Sequence, residues 1–192
     1  MAGDLLSLAI GAVLVNNFVF ARFLGLCPFF GASNNWKNST GMGVMVIFVM
    51  VCSTVLSWLL DTFVLIPMNA RYLENLVFIV VIAVFVQLVE MIIRKYSPPL
   101  YKSLGIWLPL IVVNCAVLGV VTINAGENYT FSQALVNGLF SGIGFMFALL
   151  LMSTIRERLD LLDVPESMKG VPIAIVVAAG FSMAFRAFVG LV

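Results

Sequence analysis

Long apolar stretches alternate with short polar segments along the 192 residues of this chain. A helix needs about 20 apolar residues to cross the roughly 30 Å hydrocarbon core of a bilayer. In lipid, every backbone polar group has to be satisfied within the segment, so helices are the expected spanning form. The pattern therefore predicts an all-α polytopic membrane protein, a single transmembrane domain over residues 1–192. Its six spans are predicted at about 5–24, 43–64, 73–93, 104–123, 133–154 and 171–191.

The composition agrees with lipid as the solvent. Hydrophobic residues make up 62% of the chain and charged residues 10%, whereas soluble domains are about 45–50% apolar and about 25% charged. A net charge of +1 gives no field that would attract nucleic acid, so we expect no nucleic-acid partner. The N-terminus lacks a basic segment and a cleavage site, and we expect the first apolar stretch to be a retained span.

Basic residues are distributed unequally between the two sides of the predicted bundle. The connections after spans two and four hold Arg71 alone. The positive-inside rule therefore places the other connections in the cytoplasm and both termini outside. Those cytoplasmic connections hold Lys37, Arg94, Lys95, Lys102, Arg156, Arg158 and Lys169.

The sequence contains a weak internal repeat. An offset of 98 residues places Val15-Asn16-Asn17 on Val113-Asn114-Cys115, and Pro67 on Pro165. These matches predict two halves of three spans each, about 1–96 and 97–192. Because three is odd, the second half must enter the membrane from the opposite side. Inverted repeats of this kind place a functional site near the membrane midplane, at the interface between the halves.

Three asparagines lie in the middle of the predicted spans, where an unpaired amide is costly. Asn16, Asn17 and Asn114 allow two compatible interpretations. They could join neighbouring helices through hydrogen bonds. They could also satisfy backbone groups freed where a helix is broken around a cofactor or an ion path.

The chain has three cysteines and no histidine. Cys52 is expected to be a small buried hydrophobe, as free cysteines often are. Cys27 is followed by Pro28, which disfavours an uninterrupted helix. A straight helix from residue 5 would carry Cys27 about 33 Å, to the cytoplasmic edge, whereas Cys115 would lie near the middle. The two thiols can share a site only if residues 24–31 fold back into the membrane or span one starts as a short half-helix. We therefore expect broken or half helices in spans one and four.

Charged residues fall mostly at the predicted helix ends, where we expect solvated side chains. Asp61 belongs to this group. Arg22, Glu90 and Arg186 lie within or close to apolar stretches. Glu90 could take part in an ion path, but a pairing with Arg94 at i, i+4 is favoured. Without histidine the chain has no hydrolase triad, and it contains no glycine-rich phosphate loop.

Several short motifs together resemble the family that contains RnfA, RsxA and NqrE. The similarity extends over essentially the whole chain, and the Asn16-Asn17 and Leu26-Cys27-Pro28 segments are more similar to RnfA than to NqrE. The motifs are Val15-Asn16-Asn17, the segment Phe23 to Phe29, Val89-Glu90-Met91, Leu104-Gly105-Ile106, Leu108 to Ile111, Asn114 to Gly119, Ile155 to Arg158 and Asp163-Val164-Pro165.

The resemblance implies a six-span subunit of a bacterial or archaeal inner-membrane complex. Such complexes pass electrons between ferredoxin and NAD and couple this flow to export of Na⁺ or H⁺. The implied partners are a homologous E subunit of opposite topology and the B, C, D and G subunits. The implied cofactor is a 2Fe–2S cluster shared with the E subunit, with Cys27 and Cys115 as ligands. This chain would then be part of a redox-driven translocase without a complete catalytic site of its own.

A 2Fe–2S cluster usually needs four thiolates, and this chain offers two candidates, so a partner would have to supply the others. Asn16, Asn17 and Asn114 are candidates for hydrogen bonding around the cluster. Two other functions are compatible with the pattern. An inverted repeat with broken spans is also typical of ion or solute carriers, and a purely structural membrane subunit would have inert cysteines.

Overall fold

A computed structural model describes residues 7–33, 36–68, 71–96, 114–159, 161, 165 and 168–187. Within these residues the regular structure is entirely helical, with no strand, which confirms the predicted all-α class. We number the helices α1 to α7 in chain order. Their bounds are α1, residues 7–15 with a π-helical last turn Gly11–Val15; α2, Leu26–Ala32; α3, Trp36–Leu60; α4, Glu74–Tyr96; α5, Cys115–Gly126; α6, Phe131–Leu159; and α7, Val171–Arg186.

Three helices among the described residues are long and apolar enough to cross a membrane. They cover Asn38–Leu65, Glu74–Ile92 and Phe131–Leu159. The first consists of α3 and a π-helical turn, Asp61–Leu65, that continues it. These three helices confirm predicted spans two, three and five. Helices α5 and α7 are shorter apolar helices within predicted spans four and six, and residues 97–113, which include the start of span four, lie outside the described residues.

Span one is broken, as the sharing of a site by the two cysteines requires. Helix α1 ends at Val15, and Asn16 leaves helical geometry with φ −103° and ψ 36°. Two residues then adopt positive φ, Phe23 at 55° and Gly25 at 78°. A left-handed conformation cannot continue a right-handed helix, so a separate short helix, α2, begins at Leu26.

Helices α3 and α6 form the most extensive helix pair in the described part of the chain. Glycines on α6 allow their backbones to approach closely, which is how helices associate tightly in lipid. A Cβ added at Gly142 would lie 3.0 Å from the Cα atom of Ile47, and one at Gly138 would lie 2.6 Å from Thr54 Oγ1. Helices α1, α5 and α7 also contact α6, so this helix lies at the centre of the bundle.

We predict that Gly142→Ala destabilises the protein by about 1–3 kcal/mol, the usual cost of overpacking a tight interior. The new methyl group would meet the α3 backbone, which cannot rotate away as a side chain can. The matched control is Gly180→Ala in α7, where a Cβ would meet nothing within 4 Å. The control should be neutral or should stabilise by up to about 1 kcal/mol. Thermal unfolding of the detergent-purified chain measures both, and equal midpoints for the two variants would contradict the close approach of α3 and α6.

Candidate functional site

The break in span one leaves backbone groups without helical partners, and Asn17 satisfies several of them. Its Nδ2 donates to the carbonyl of Val13 at 3.1 Å and to that of Gly144 on α6 at 3.0 Å. Its Oδ1 accepts from the backbone N–H of Val19 at 3.1 Å. Asn17 is fully buried. The same amide thus completes the broken backbone and joins α1 to α6.

Side chains from other helices also form hydrogen bonds with the broken segment and with the end of α2. The hydroxyl of Ser182 on α7 donates to the carbonyl of Phe20 at 2.8 Å. At the end of α2, Arg156 of α6 donates to the carbonyl of Phe30 at 2.8 Å and to the hydroxyl of Ser33 at 2.9 Å. The conformation of the break is thus fixed by helices that lie more than 120 residues away in sequence.

Cys115 lies at the start of α5, directly against the broken segment. The backbone N–H of Gly25 donates to Cys115 Sγ at 2.9 Å. The preceding residue, Asn114, is the N-cap of α5, and its Oδ1 accepts from the N–H of Ala116 at 3.0 Å. The sulfur of Cys115 therefore has a polar donor from span one.

Cys27 lies in the first turn of α2, two residues after the glycine that contacts Cys115. Both thiols are exposed on the surface of the chain. Helix α5 has 12 residues, so Cys115 lies about 17 Å from its far end. The break places Gly25, two residues before Cys27, in contact with Cys115. Cys52, by contrast, lies half-buried within α3.

Gly25 is fixed as glycine by both conformation and space. Its φ of 78° is strained for residues with a side chain, and an added Cβ would lie 2.7 Å from Phe145 Cε2 and 3.1 Å from Ala116 Cβ. The same position would be 3.2 Å from Asn114 Oδ1. The contact between Gly25 and Cys115 thus depends on the absence of a side chain.

The three candidate asparagines have different environments. The hydrogen-bonding groups of Asn17 all have partners within the chain. Asn114 is 4% exposed, and its Nδ2 has no hydrogen-bond partner within the described residues, which makes it an available donor next to Cys115. Asn16 is exposed and lines the cavities on either side of the break.

A cavity of about 490 Å³ lies between the break, the end of α5 and the start of α6. Burial and the Glu127 carboxylate raise the pKa of the Tyr129 phenol, whereas the Arg22 guanidinium lowers it. Arg22 therefore lies close to the connection between α5 and α6. A second cavity, of about 440 Å³, brings Arg22 and Arg186 together, although they are far apart in sequence. The polar lining of the first cavity is Ser7, Asn16, Arg22, Glu127, Tyr129 and Asn137.

A buried polar cluster at the same end of the bundle was not anticipated from the sequence. Asp61 was expected to be a solvated helix-end residue, but it is half-buried, and its Oδ1 is inaccessible to solvent and has no partner among the described residues. Asn124 of α5 and Asn137 of α6 are hydrogen-bonded nearby. The available signal was the spacing of Thr54, Ser57 and Asp61, which places three polar side chains on one face of a span.

Within the described residues, no group of three or more His, Cys, Asp or Glu side chains is arranged to hold a metal ion. The two exposed thiols at the break are accordingly an incomplete ligand set for any metal centre that needs three or more protein donors.

Comparison with known proteins agrees with this architecture. The family described as "Rnf-Nqr subunit, membrane protein" matches residues 5–192. The A subunit of the ion-translocating oxidoreductase complex of Syntrophotalea carbinolica is 51% identical over 189 residues, and that of Proteus mirabilis is 49% identical over 189 residues. The protein of the same name in Escherichia coli K12 is also 49% identical, and each alignment covers 98% of both chains. The chain therefore belongs to the Rnf-Nqr family of membrane subunits.

Proposed function

We propose that this chain is the A subunit of an ion-translocating oxidoreductase complex and takes part in membrane electron transport. We further propose that Cys27 and Cys115 supply half of the ligands of a 2Fe–2S cluster that is shared with a homologous subunit. The observation that carries the second proposal is the hydrogen bond from the Gly25 N–H to Cys115 Sγ. It joins the segment of Cys27 to the segment of Cys115, and the proposed cluster would lie at this contact, within the membrane.

The two thiols are the right type of ligand for such a cluster, but they are too few to hold it alone. Thiolates are the usual ligands of 2Fe–2S clusters, and four are usually required. The sequence contains only three cysteines, and the third, Cys52, lies within α3 away from the helix starts that carry the other two. Since Cys27 and Cys115 are exposed, they are accessible to a second subunit that could complete the set.

The surroundings of the thiols suit a charged centre in an apolar environment. Backbone N–H groups stabilise anionic sulfur, and Gly25 provides one to Cys115. Phe20 and Phe29 are buried behind the break, with ring centroids 5.9 Å apart, and exclude water from that side. When bound, the cluster would supply one-electron transfer, while this chain binds it, orients it and sets its environment.

The hydrogen-bonding role proposed for the asparagines is best supported for Asn114, whose Nδ2 is buried and available. Asn17 acts through the backbone of the break, because its amide is already fully used. Asn16 is exposed at the end of α1. We assign Asn114 to hydrogen bonding around the thiolate or cluster sulfur, and Asn17 to holding the segment that carries Cys27.

The remaining partners and the location follow from the family and from the charge distribution. We propose that the second pair of thiolates comes from a homologous E subunit of opposite topology, and that B, C, D and G subunits complete the ferredoxin:NAD oxidoreductase. The complex would lie in the inner membrane of its bacterial or archaeal source. Both termini of this chain would lie outside, because the basic connections favour the cytoplasm.

We predict that Cys27→Ala and Cys115→Ala each abolish the cluster signal in paramagnetic-resonance spectra of the purified, reduced complex. Each substitution removes one of the two candidate thiolates that this chain provides and leaves no ligand in its place. Cys52→Ala is the matched control and should keep both the signal and the iron content. A signal that survives either of the first two substitutions, in a complex that retains all its subunits, would exclude the proposed ligands.

We predict that Asn114→Ser keeps the cluster but lowers its reduction potential. Serine is as good an N-cap as asparagine, so the start of α5 should be preserved, while the Nδ2 donor is lost. Hydrogen bonds to sulfur favour the more negative, reduced state, and their removal opposes reduction. A redox titration monitored by paramagnetic resonance measures the shift. Cys52→Ala again provides the unshifted reference, and an unchanged potential in Asn114→Ser would remove Asn114 from the cluster environment.

A further inference from the structure

A small cavity lies at the end of the bundle where α3 meets its π-helical turn. Its volume is about 20 Å³, which is enough for one water molecule or one small ion. Asp61 Oδ1 and Asn124 Nδ2 both belong to residues that line it, and both are buried without a hydrogen-bond partner in the described part of the chain. Asn124 is only 7% exposed. One of these atoms, Asp61 Oδ1, is an acceptor and the other, Asn124 Nδ2, is a donor. Together they indicate an occupant that interacts with both side chains.

Among the described residues, Asp61 is the one charged side chain that lines this cavity. Its other polar lining comes from Ser57, Asn124, Asn128, Tyr129 and the indole N–H of Trp58, which donates to the Tyr129 carbonyl. A buried carboxylate oxygen without a partner is costly, and in proteins such groups are paired or bind metal ions. The cavity thus favours a positively charged occupant next to Asp61.

One carboxylate and a cavity of this size favour a small monovalent ion. Divalent cations usually require more carboxylates or retain several waters, for which this cavity has no room. The hydroxyl of Ser57 donates to the carbonyl of Thr54 at 3.0 Å, and its oxygen lone pairs remain available. Carboxylate, hydroxyl and amide oxygens are the ligand types that hard cations prefer.

The amide of Asn124 belongs to a chain of hydrogen bonds that can reverse. Ser141 Oγ donates to Asn137 Oδ1 at 3.4 Å, and Asn137 Nδ2 donates to Asn124 Oδ1 at 2.7 Å. This order leaves Asn124 Nδ2 as the unpartnered group. If both amides turn by half a rotation, Asn124 donates to Asn137 and Asn137 donates to Ser141. Both hydrogen bonds are retained, and the unpartnered atom of Asn124 becomes its side-chain oxygen.

We propose that this cavity is a binding site for a single Na⁺ ion, coordinated by Asp61 and by the oxygen of a reoriented Asn124. Its role in transport rests on the ion-translocating part of the proposed function, whereas binding itself needs no cluster. Polar groups extend inward from the site along α3. Thr54 lies about two helical turns before Asp61, and its Oγ1 is buried without a partner among the described residues. The site would then lie at the outer end of a polar file between α3 and α6.

Thermal unfolding of the full chain, purified alone in detergent, tests the proposal without any contribution from a cluster. An ion that binds the folded state stabilises it according to its concentration and affinity. NaCl should raise the unfolding midpoint of the wild-type chain above that in choline chloride of equal ionic strength, and KCl should do so more weakly. Asp61→Asn should raise the Na⁺ concentration for half-maximal stabilisation at least about tenfold, and Asn124→Leu should do the same.

Glu127→Gln is the matched control, because it removes a carboxylate at the same end of the bundle that does not line this cavity. It should respond to Na⁺ as the wild type does. A Na⁺ response no larger than that of choline, an equal response to K⁺, or equal responses in all variants would overturn the proposal and leave water as the occupant. An infrared difference spectrum of the wild-type chain in NaCl and choline chloride provides a readout that needs no variant. Carboxylate and side-chain amide bands should both shift, and unchanged bands would also overturn the site.

Discussion

The structure depends on one constraint, the need to satisfy every backbone polar group where a membrane helix is interrupted. The segment between Val15 and Leu26 leaves helical geometry, and its hydrogen bonds are supplied by the Asn17 amide, the Ser182 hydroxyl and the Cys115 thiol. These donors and acceptors come from three different parts of the chain. The interruption is therefore stable only in the assembled bundle, and one of the contacts that satisfy it joins Cys115 to Gly25, two residues before Cys27.

The sequence was sufficient to predict the interruption but not its contacts. Local signals in Gly25 and Pro28 indicate that a helix cannot continue, and the apolar lengths predict spans two, three and five closely. That Gly25 contacts Cys115 depends on how α5 packs, over a separation of 90 residues, and no local pattern encodes it. Burial of Asp61 was missed for a similar reason. It depends on the connection after α5, where the Tyr129 carbonyl accepts from Trp58 Nε1 at 3.3 Å.

The polar side chains within this apolar bundle fall into two groups. Some are hydrogen-bonded within the chain, and others keep a buried atom without a partner. Asn17, Ser182 and Arg156 are paired within the chain, and they serve its architecture. Asn114, Asp61 and Asn124 each retain a buried atom without a partner in the described part of the chain. In lipid such atoms are expensive, and the two sites proposed above would each give them a partner from outside the chain.

Helix α5 carries Cys115 as its first residue and Asn124 near its last. The two are about 13 Å apart along the axis, joined by uninterrupted helical hydrogen bonds. A rod this short does not absorb an axial displacement by bending. Any movement of the thiol end along the helix axis would consequently be delivered to the carboxamide end almost undiminished, so that the break in span one and the cavity beside Asp61 are mechanically linked by a single element about three turns long.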